Sequence, residues 1–213
     1  MDILSQYWPL FLEGAKNTLL LSLCSVIIGL VFGTLLALMR ISSNKILSFL
    51  AKVYIDIIRG TPLLVQLYIV YFGLSTFFNL SDFMSGVMAI GVNTVAYVAE
   101  IIRSGIQSVD KGQFEAARSI GMPKAMAMRK IIFPQAFKNI LPAIGNEFAT
   151  LIKETSIVSF IGIKDLMFSS DTVRGATFSV FPPLLIAAAI YYMMTTTVSF
   201  FMNIVERKLK ESD

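Results

Sequence analysis

Long uncharged apolar runs are the feature that most limits how this chain can fold. A helix needs about 20 predominantly apolar residues to cross about 30 Å of hydrocarbon. Five stretches of roughly this length occur, at 17–39, 60–80, 83–102, 140–163 and 180–204. Only 15% of the 213 residues are charged, against about 25% in soluble domains. The sequence therefore predicts an all-α integral membrane protein with five transmembrane helices.

The fourth stretch is the most polar of the five. Residues 140–163 include Glu147, Lys153 and Glu154, while Pro134 and Pro142 lie at or before the predicted start. The stretch is too apolar for a solvated helix, and its charged side chains can face the interior of a helix bundle. We therefore assign it as a span.

The basic residues are distributed unevenly between the two sides that five spans create. The connections 40–59 and 103–139, together with the C-terminal tail, hold 14 of the 18 Lys and Arg residues. The opposite side holds Lys16, Lys164 and Arg174. Because short cytoplasmic connections are enriched in Lys and Arg, this asymmetry predicts an external N-terminus and a cytoplasmic C-terminus. It also explains the net charge of +4 without any nucleic-acid partner.

Composition excludes several kinds of chemistry. The chain has no histidine and one cysteine, which excludes His-dependent catalysis, most transition-metal sites and an intrachain disulfide. We assign no catalytic residue and no metal site. A membrane-embedded enzyme is disfavoured, since no span holds a serine with a nearby base. No phosphate-binding loop of the form G-x-x-x-x-G-K-[ST] is present.

The largest predicted cytoplasmic connection contains a short helix with clear end signals. Asp110 is a suitable N-cap, and Gly121 is suited to the left-handed residue that follows a helix. The helix is expected to run from Lys111 to about Ile120, with a second short helix from Pro123 that Pro134 ends or kinks. An alternative is an amphipathic helix that lies on the lipid surface.

This connection carries a spaced motif. Glu115-Ala116-Ala117 is followed by three residues and Gly121, then by nine residues, Ile131 and Phe133-Pro134. The segment, about 110–134, resembles the EAA loop of bacterial ABC importer permeases; Phe133 replaces the usual leucine. The resemblance implies a coupling helix that docks onto a separate ATPase subunit. The residues that would do so are Glu115, Ala116, Ala117, Arg118 and Gly121.

Three further segments narrow the resemblance. They are 59–66 (RGTPLLVQ), 96–106 (AYVAEIIRSGI) and the polar positions between Gln135 and Ser156. They are similar to permeases of polar amino acid importers, over roughly residues 10–208. The resemblance implies one permease domain, 1–213, with a fold like that of type I ABC importer permeases.

The same resemblance implies partners and a mechanism. Two permeases, as a homodimer or a close heterodimer, would assemble with two ABC ATPase subunits in the bacterial cytoplasmic membrane. An external amino acid-binding protein or fused domain would deliver substrate, and alternating access would move it inward. ATP and Mg²⁺ would be bound by the ATPases, so this chain itself holds no cofactor. The alternatives are a permease for another small solute and a passive channel.

Polar residues inside spans are candidates for the substrate pathway, because they are costly in a membrane. Glu147 and Glu154 are seven residues apart, so they share a helix face that would favour a cationic substrate. The alternative is that Lys153 and Glu154 pair with other helices or reach the outer interface. The candidates are Asn93, Asn146, Glu147, Lys153 and Glu154.

Two other patterns concern packing. Gly29 and Gly33 form a G-x-x-x-G pair that allows close helix approach. Glu100 and Arg103 are three residues apart, so they can form an intrahelical ion pair or part of a gate near the coupling helix. We favour the structural role for both pairs.

Overall fold

The computed structural model describes residues 3–78 and 80–210, and the side chains of all of these except 74–76 and 210. Residues 1–2 and 211–213 of the predicted domain, and Asn79 of the second predicted span, lie outside the described residues. Every regular element in this part of the chain is a helix. Its α-helices are α1 (Ile3–Arg40), α2 (Lys45–Arg59), α3 (Leu63–Phe77), α4 (Asp82–Gln107), α5 (Lys111–Ser119), α6 (Lys124–Ala127), α7 (Phe133–Glu154), α8 (Leu166–Thr177) and α9 (Phe181–Lys210).

Three of these helices, α1, α4 and α9, are long and apolar enough to cross a membrane. A fourth span is possible if α2 and α3 count as one broken span, since they meet the criteria together but are bent by 108°. Helix α7 carries Lys138, Glu147, Lys153 and Glu154 within its 22 residues, and it does not qualify by composition. The predicted span at 140–163, and with it the total of five, therefore stays a prediction.

The bend between α2 and α3 differs from the sequence prediction, which treated residues 40–59 as a connection. Asn44 caps α2, because its side-chain oxygen accepts hydrogen bonds from the Ile46 and Leu47 N–H groups. Helix α2 has one strongly apolar side. Because it also contains lysines, counting charges assigned it to a cytoplasmic connection. Thr61 and Pro62 then separate it from α3.

Helix α7 begins earlier than the predicted fourth span. It starts at Phe133, directly after a π-helical turn at Met128–Ile132, and Pro142 lies inside it. Pro134 lies in the first turn of α7 and has no N–H to donate back to the π-helical turn. A 3₁₀ segment, Thr155–Ile161, follows the helix, and α8 lies in what was predicted to be a plain connection.

Packing centres on α4, more than half of whose residues are buried. Helix α1 approaches α4 at two glycines. A Cβ atom added at Gly33 would lie 2.9 Å from the Val95 carbonyl oxygen, and one at Gly29 would meet Thr94. Helix α7 packs between α4 and α9, and Gly145 there faces Met202. Large apolar side chains cover the outside of α1 and α9, as expected for lipid-facing helices.

Candidate docking loop and polar pathway

Helix α5 has well-defined ends on both sides. At its start, the Asp110 carboxylate accepts a 2.6 Å hydrogen bond from the Gly112 N–H. At its end, the Gly121 N–H donates to Arg118 and the Met122 N–H donates to Ala117. This pair of bonds is a Schellman cap, which needs a left-handed residue, and Gly121 has φ +86°. The predicted helix limits are therefore confirmed.

The exposed side of α5 is small and polar. Glu115 and Ala116 are exposed, whereas Ala117 is 5% exposed and packs against the chain itself. Arg118 is directed back toward the cap, since its Nη1 donates to the Met122 carbonyl at 2.6 Å. Ile120 adds an exposed apolar side chain beside Gly121. A partner would thus meet Glu115, Ala116 and Ile120 directly, and the docking role of the five predicted residues stays a prediction.

A short, stiff connection joins α5 to α7. Helix α6 and the π-helical turn fill residues 124–132 without a loop between them and α7. Ala127 and Ile132 are buried in this connection. Displacement of α5 would therefore reach α7 across the turn at 120–123 and then through continuous helical backbone from Lys124 onward.

Asn93 lies in the middle of α4 and is 4% exposed. Its Nδ2 donates a 2.8 Å hydrogen bond to Gln66 Oε1. The Gln66 Nε2 in turn donates to the Ile58 carbonyl at 2.6 Å and to Thr61 Oγ1 at 2.8 Å. Gln66 therefore holds both sides of the α2–α3 bend and ties the bend to α4. Sequence reasoning missed this role, although Gln66 ends the conspicuous segment 59–66.

The four remaining pathway candidates lie on α7 and divide into two groups. Lys153 and Glu154 line an open cavity of about 600 Å³ with Thr150, between the end of α7 and Leu63 at the start of α3. Asn146 is exposed and Glu147 is half-buried on the preceding turns, outside this cavity. The structure thus places Lys153 and Glu154 at one cavity, whereas Asn93 is buried in the core and does not line that cavity.

A cluster of charges joins α2 to α4 next to the bend. Arg103 Nε donates to Glu100 Oε2 at 2.8 Å, as the spacing predicts, and Arg59 Nη1 lies 3.8 Å from Glu100 Oε1. The Arg59 guanidinium also stacks 5.3 Å above the centre of the Tyr97 ring. The contact with Arg59 is non-local, so helical spacing alone did not reveal it.

A second buried polar cluster ties the start of α8 to α1 and α9. Asp165 is fully buried and caps α8, since its Oδ1 accepts from the Phe168 N–H at 2.8 Å. The Tyr191 hydroxyl of α9 donates to Oδ2 at 3.2 Å. The Leu166 N–H donates to the Thr18 hydroxyl of α1. Burial raises the pKa of the Asp165 carboxyl to about 6, although its hydrogen bonds act in the opposite direction.

The family is decided by a match that covers most of the chain. A family model described as "binding-protein-dependent transport system inner membrane component" matches residues 29–211. The chain belongs to this family. The match includes α5, the α2–α3 bend and all of α7, so the candidate docking loop and the cavity lie within the shared region.

Relatives of this inner membrane component match over nearly their full length. It is 46% identical to a putative glutamine transport system permease of Rickettsia prowazekii, over 97% of each chain. It is 45% identical to the arginine transport system permease ArtQ of Bacillus subtilis, over 96% of this chain and 94% of that one.

Solved structures agree on the fold. An amino acid ABC transporter crystallised with histidines matches with a TM-score of 0.92 and 52% identity, over 98% of this chain and 99% of that one. The MetNI methionine ABC transporter in an inward-facing form matches with a TM-score of 0.79 at 18% identity, over 94% and 96% of the two chains. The inner membrane component therefore has the predicted all-α fold of type I ABC importer permeases.

Proposed function

We propose that this chain is the membrane-spanning subunit of an ATP-driven importer that carries polar amino acids across the bacterial cytoplasmic membrane. One observation carries the proposal. The capped helix α5 presents Glu115 and Ala116 outside the packed helices, in a chain whose relatives are glutamine and arginine permeases. A passive channel has no need of such a docking element.

The proposed orientation follows from charge. The N-terminus of α1 lies outside the cell, and α5 and the end of α9 lie in the cytoplasm, because the basic residues are concentrated on that side. This orientation puts α5 where an ATPase subunit can reach it.

The proposed assembly contains two permeases, two ABC ATPase subunits and an external amino acid-binding protein or fused domain. The two ATPases bind and hydrolyse ATP with Mg²⁺, so this chain is not itself an enzyme. The paired permeases are either two copies of this chain or this chain and a close relative.

Coupling between ATP hydrolysis and transport runs through α5. Closure of the ATPases brings the α5 helices of two permeases toward each other. Because α6 and the π-helical turn run into α7 without a loop, motion passed across the turn at Gly121 shifts the cavity at Lys153 and Glu154. The cavity then opens in turn to the outside and to the cytoplasm, which is alternating access.

The cavity has charges of both signs, which suits an amino acid. A free amino acid carries an ammonium and a carboxylate group, so Glu154 and Lys153 can pair with one group each. Removal of either charge should raise the KM for uptake while ATP hydrolysis without substrate persists. Unchanged transport in Glu147→Gln and Glu154→Gln variants would contradict a role for these carboxylates, and Glu13→Gln on the exposed start of α1 is the matched control.

The decisive experiment uses the whole complex in lipid vesicles. Uptake of labelled glutamine, arginine and other amino acids is measured with and without ATP inside the vesicles, in the presence of the binding protein. We expect uptake and ATP hydrolysis that both depend on one or a few polar amino acids. Uptake without ATP would favour a passive channel, and no response to any of the amino acids or to cystine would favour another solute.

A further inference from the structure

An apolar cleft on the outside of the helix bundle has no part in the proposed transport route. It has a volume of about 520 Å³, within the range of ligand sites, and lies between α1, α2 and α4. Phe32 and Leu35 of α1 form one wall, and Met88 and Val92 of α4 form the other. The Tyr54 hydroxyl is the main polar group there, and it is used internally, since it donates to the Val92 carbonyl at 2.7 Å.

The length of the cleft corresponds to one leaflet of a membrane. On α1 it extends from Ile28 to Met39, which at 1.5 Å per residue is about 16 Å. Half of a hydrocarbon core of about 30 Å is about 15 Å. A single acyl chain would therefore fill the cleft from the middle of the bilayer to its surface.

One end of the cleft is basic. Arg40 follows Met39 at the end of α1, and its Nη1 donates to the Ser48 hydroxyl at 3.1 Å, which holds the guanidinium at the cleft mouth. No carboxylate lies within 4 Å of Arg40 in residues 3–78 and 80–210; at longer range Arg40 faces Glu100 of α4, which Arg103 already pairs. Lys45 and Lys52 of α2 add positive charge on the same side of the membrane. An anionic headgroup complements this end of the cleft, whereas a zwitterionic one does so less well.

We infer that this cleft is a binding site for an anionic phospholipid, with one acyl chain between α1, α2 and α4 and the phosphate beside Arg40. The bound chain fills the gap beside Tyr54 and so supports the packing of α2, the first half of the bent pair, on α4. That the lipid comes from the cytoplasmic leaflet rests on the proposed orientation. The existence of the cleft and of its basic end does not depend on that orientation.

The test uses the complete complex in vesicles of phosphatidylcholine with about 20% phosphatidylglycerol. The phosphatidylglycerol carries a photoactivatable diazirine on one acyl chain, and adducts are located by mass spectrometry of peptides. We expect adducts concentrated on α1 and α4 at Phe32, Leu35 and Met88. Adducts spread evenly over the exposed apolar surface would overturn the inference, because they would indicate ordinary lipid contact.

Two variants test the shape of the site. Val92→Phe fills the cleft from α4 and should reduce adducts at Phe32 and Met88 to the level of other lipid-facing positions. Val31→Phe adds the same group to an exposed position on α1 outside the cleft, so it should leave these adducts unchanged. If Val92→Phe lowers the melting temperature of the complex, Leu35→Trp blocks the cleft from its exposed wall instead. Persistence of the adducts in a folded, blocked variant would refute the site.

A third variant tests the headgroup. Arg40→Gln should reduce the preference for phosphatidylglycerol over a phosphatidylcholine probe with the same chain by about fivefold. Arg207→Gln removes a basic residue near the end of α9 and should leave that preference unchanged. Equal labelling by the two probes in the parent chain, or crosslinks between two copies of the chain through the cleft residues, would contradict an anionic lipid. None of these readouts needs transport, so they remain informative if the proposed substrate is wrong.

Discussion

The Asn93 side-chain Nδ2 donates to the side-chain Oε1 of Gln66, and this 2.8 Å hydrogen bond joins the centre of α4 to the bend between α2 and α3. Both residues are nearly fully buried. The bond therefore fixes the position of Leu63, which forms a wall of the Lys153–Glu154 cavity.

Loss of this bond should destabilise the protein. Asn93→Ala leaves Gln66 Oε1 buried without its partner, and we expect a cost of about 1–2 kcal/mol. Thermal unfolding of the purified complex measures it. Thr34→Ala is the control, since the Thr34 hydroxyl donates to the Leu30 carbonyl of its own helix on an exposed face. An unchanged melting temperature with a raised substrate KM would instead place Asn93 in the substrate pathway.

The close approach of α1 and α4 should not tolerate a larger residue at Gly33. In Gly33→Ala the new methyl group would lie 2.9 Å from the Val95 carbonyl oxygen, so the helices must separate, at a cost of about 1–3 kcal/mol. Gly73→Ala on α3 is the matched control, because no described atom outside its own helical backbone and its chain neighbours lies within 4 Å of its Cβ position. It should be neutral or slightly stabilising. Equal melting temperatures for the two variants would show that the α1–α4 contact relaxes freely.

The cap of α5 should matter for coupling. Gly121 has a positive φ and an open surrounding, so Gly121→Val introduces backbone strain of about 1–2 kcal/mol without a steric clash. We expect reduced substrate-stimulated ATP hydrolysis in the assembled complex, with little loss of permease folding. Gly121→Asn should retain more activity, since Asn tolerates the left-handed conformation. Similar losses in both variants would point to contact with the partner and away from the cap.

The surface of α5 gives a separate prediction about docking. Glu115→Ala removes an exposed charge that the chain's own packing does not use. We expect weaker association with the ATPase subunits, seen as dissociation of the purified complex at lower salt, and an unchanged melting temperature of the permease. Glu13→Ala is the matched control on an exposed helix surface far from α5 in sequence. Intact association in Glu115→Ala would remove this residue from the docking surface.

The buried carboxyl of Asp165 should make stability depend on pH. Its pKa rises on folding from 3.8 to about 6, so the folded protein holds this proton more tightly than the unfolded chain. The contribution of this group to the free energy of unfolding therefore falls as the pH rises from about 4 to about 6, by up to about 3 kcal/mol. Above that pH the contribution is constant.

Asp165→Asn should remove this part of the pH dependence. The amide oxygen can still accept from the Phe168 N–H, so the α8 cap is retained. Melting temperatures of the two chains between pH 4 and pH 8 measure the difference. Asp171→Asn, at a position that pairs with Arg174 within α8, should keep the pH dependence of the parent. Parallel curves for Asp165→Asn and the parent would refute the assignment.

Local signals were sufficient for much of the fold. The apolar runs predicted α1, α4 and α9, because hydrophobic length alone decides whether a helix can span a membrane. Asp110 and Gly121 predicted the limits of α5, since helix caps depend on residues within one turn. The spacing from Glu115 to Pro134 indicated the family, which the match over residues 29–211 confirmed.

Only the tertiary structure decided which distant residues meet. The 108° bend between α2 and α3 was not predicted from the sequence. The lysines of α2 were counted as those of a cytoplasmic connection, although the helix also has an apolar face. Gln66, Arg59 and Asp165 were missed as organising residues, since their partners Asn93, Glu100 and Tyr191 lie 26 to 41 positions away. A buried polar group must find a partner, but the sequence does not say which one. That choice depends on how α2, α4 and α9 pack, which local periodicity does not encode.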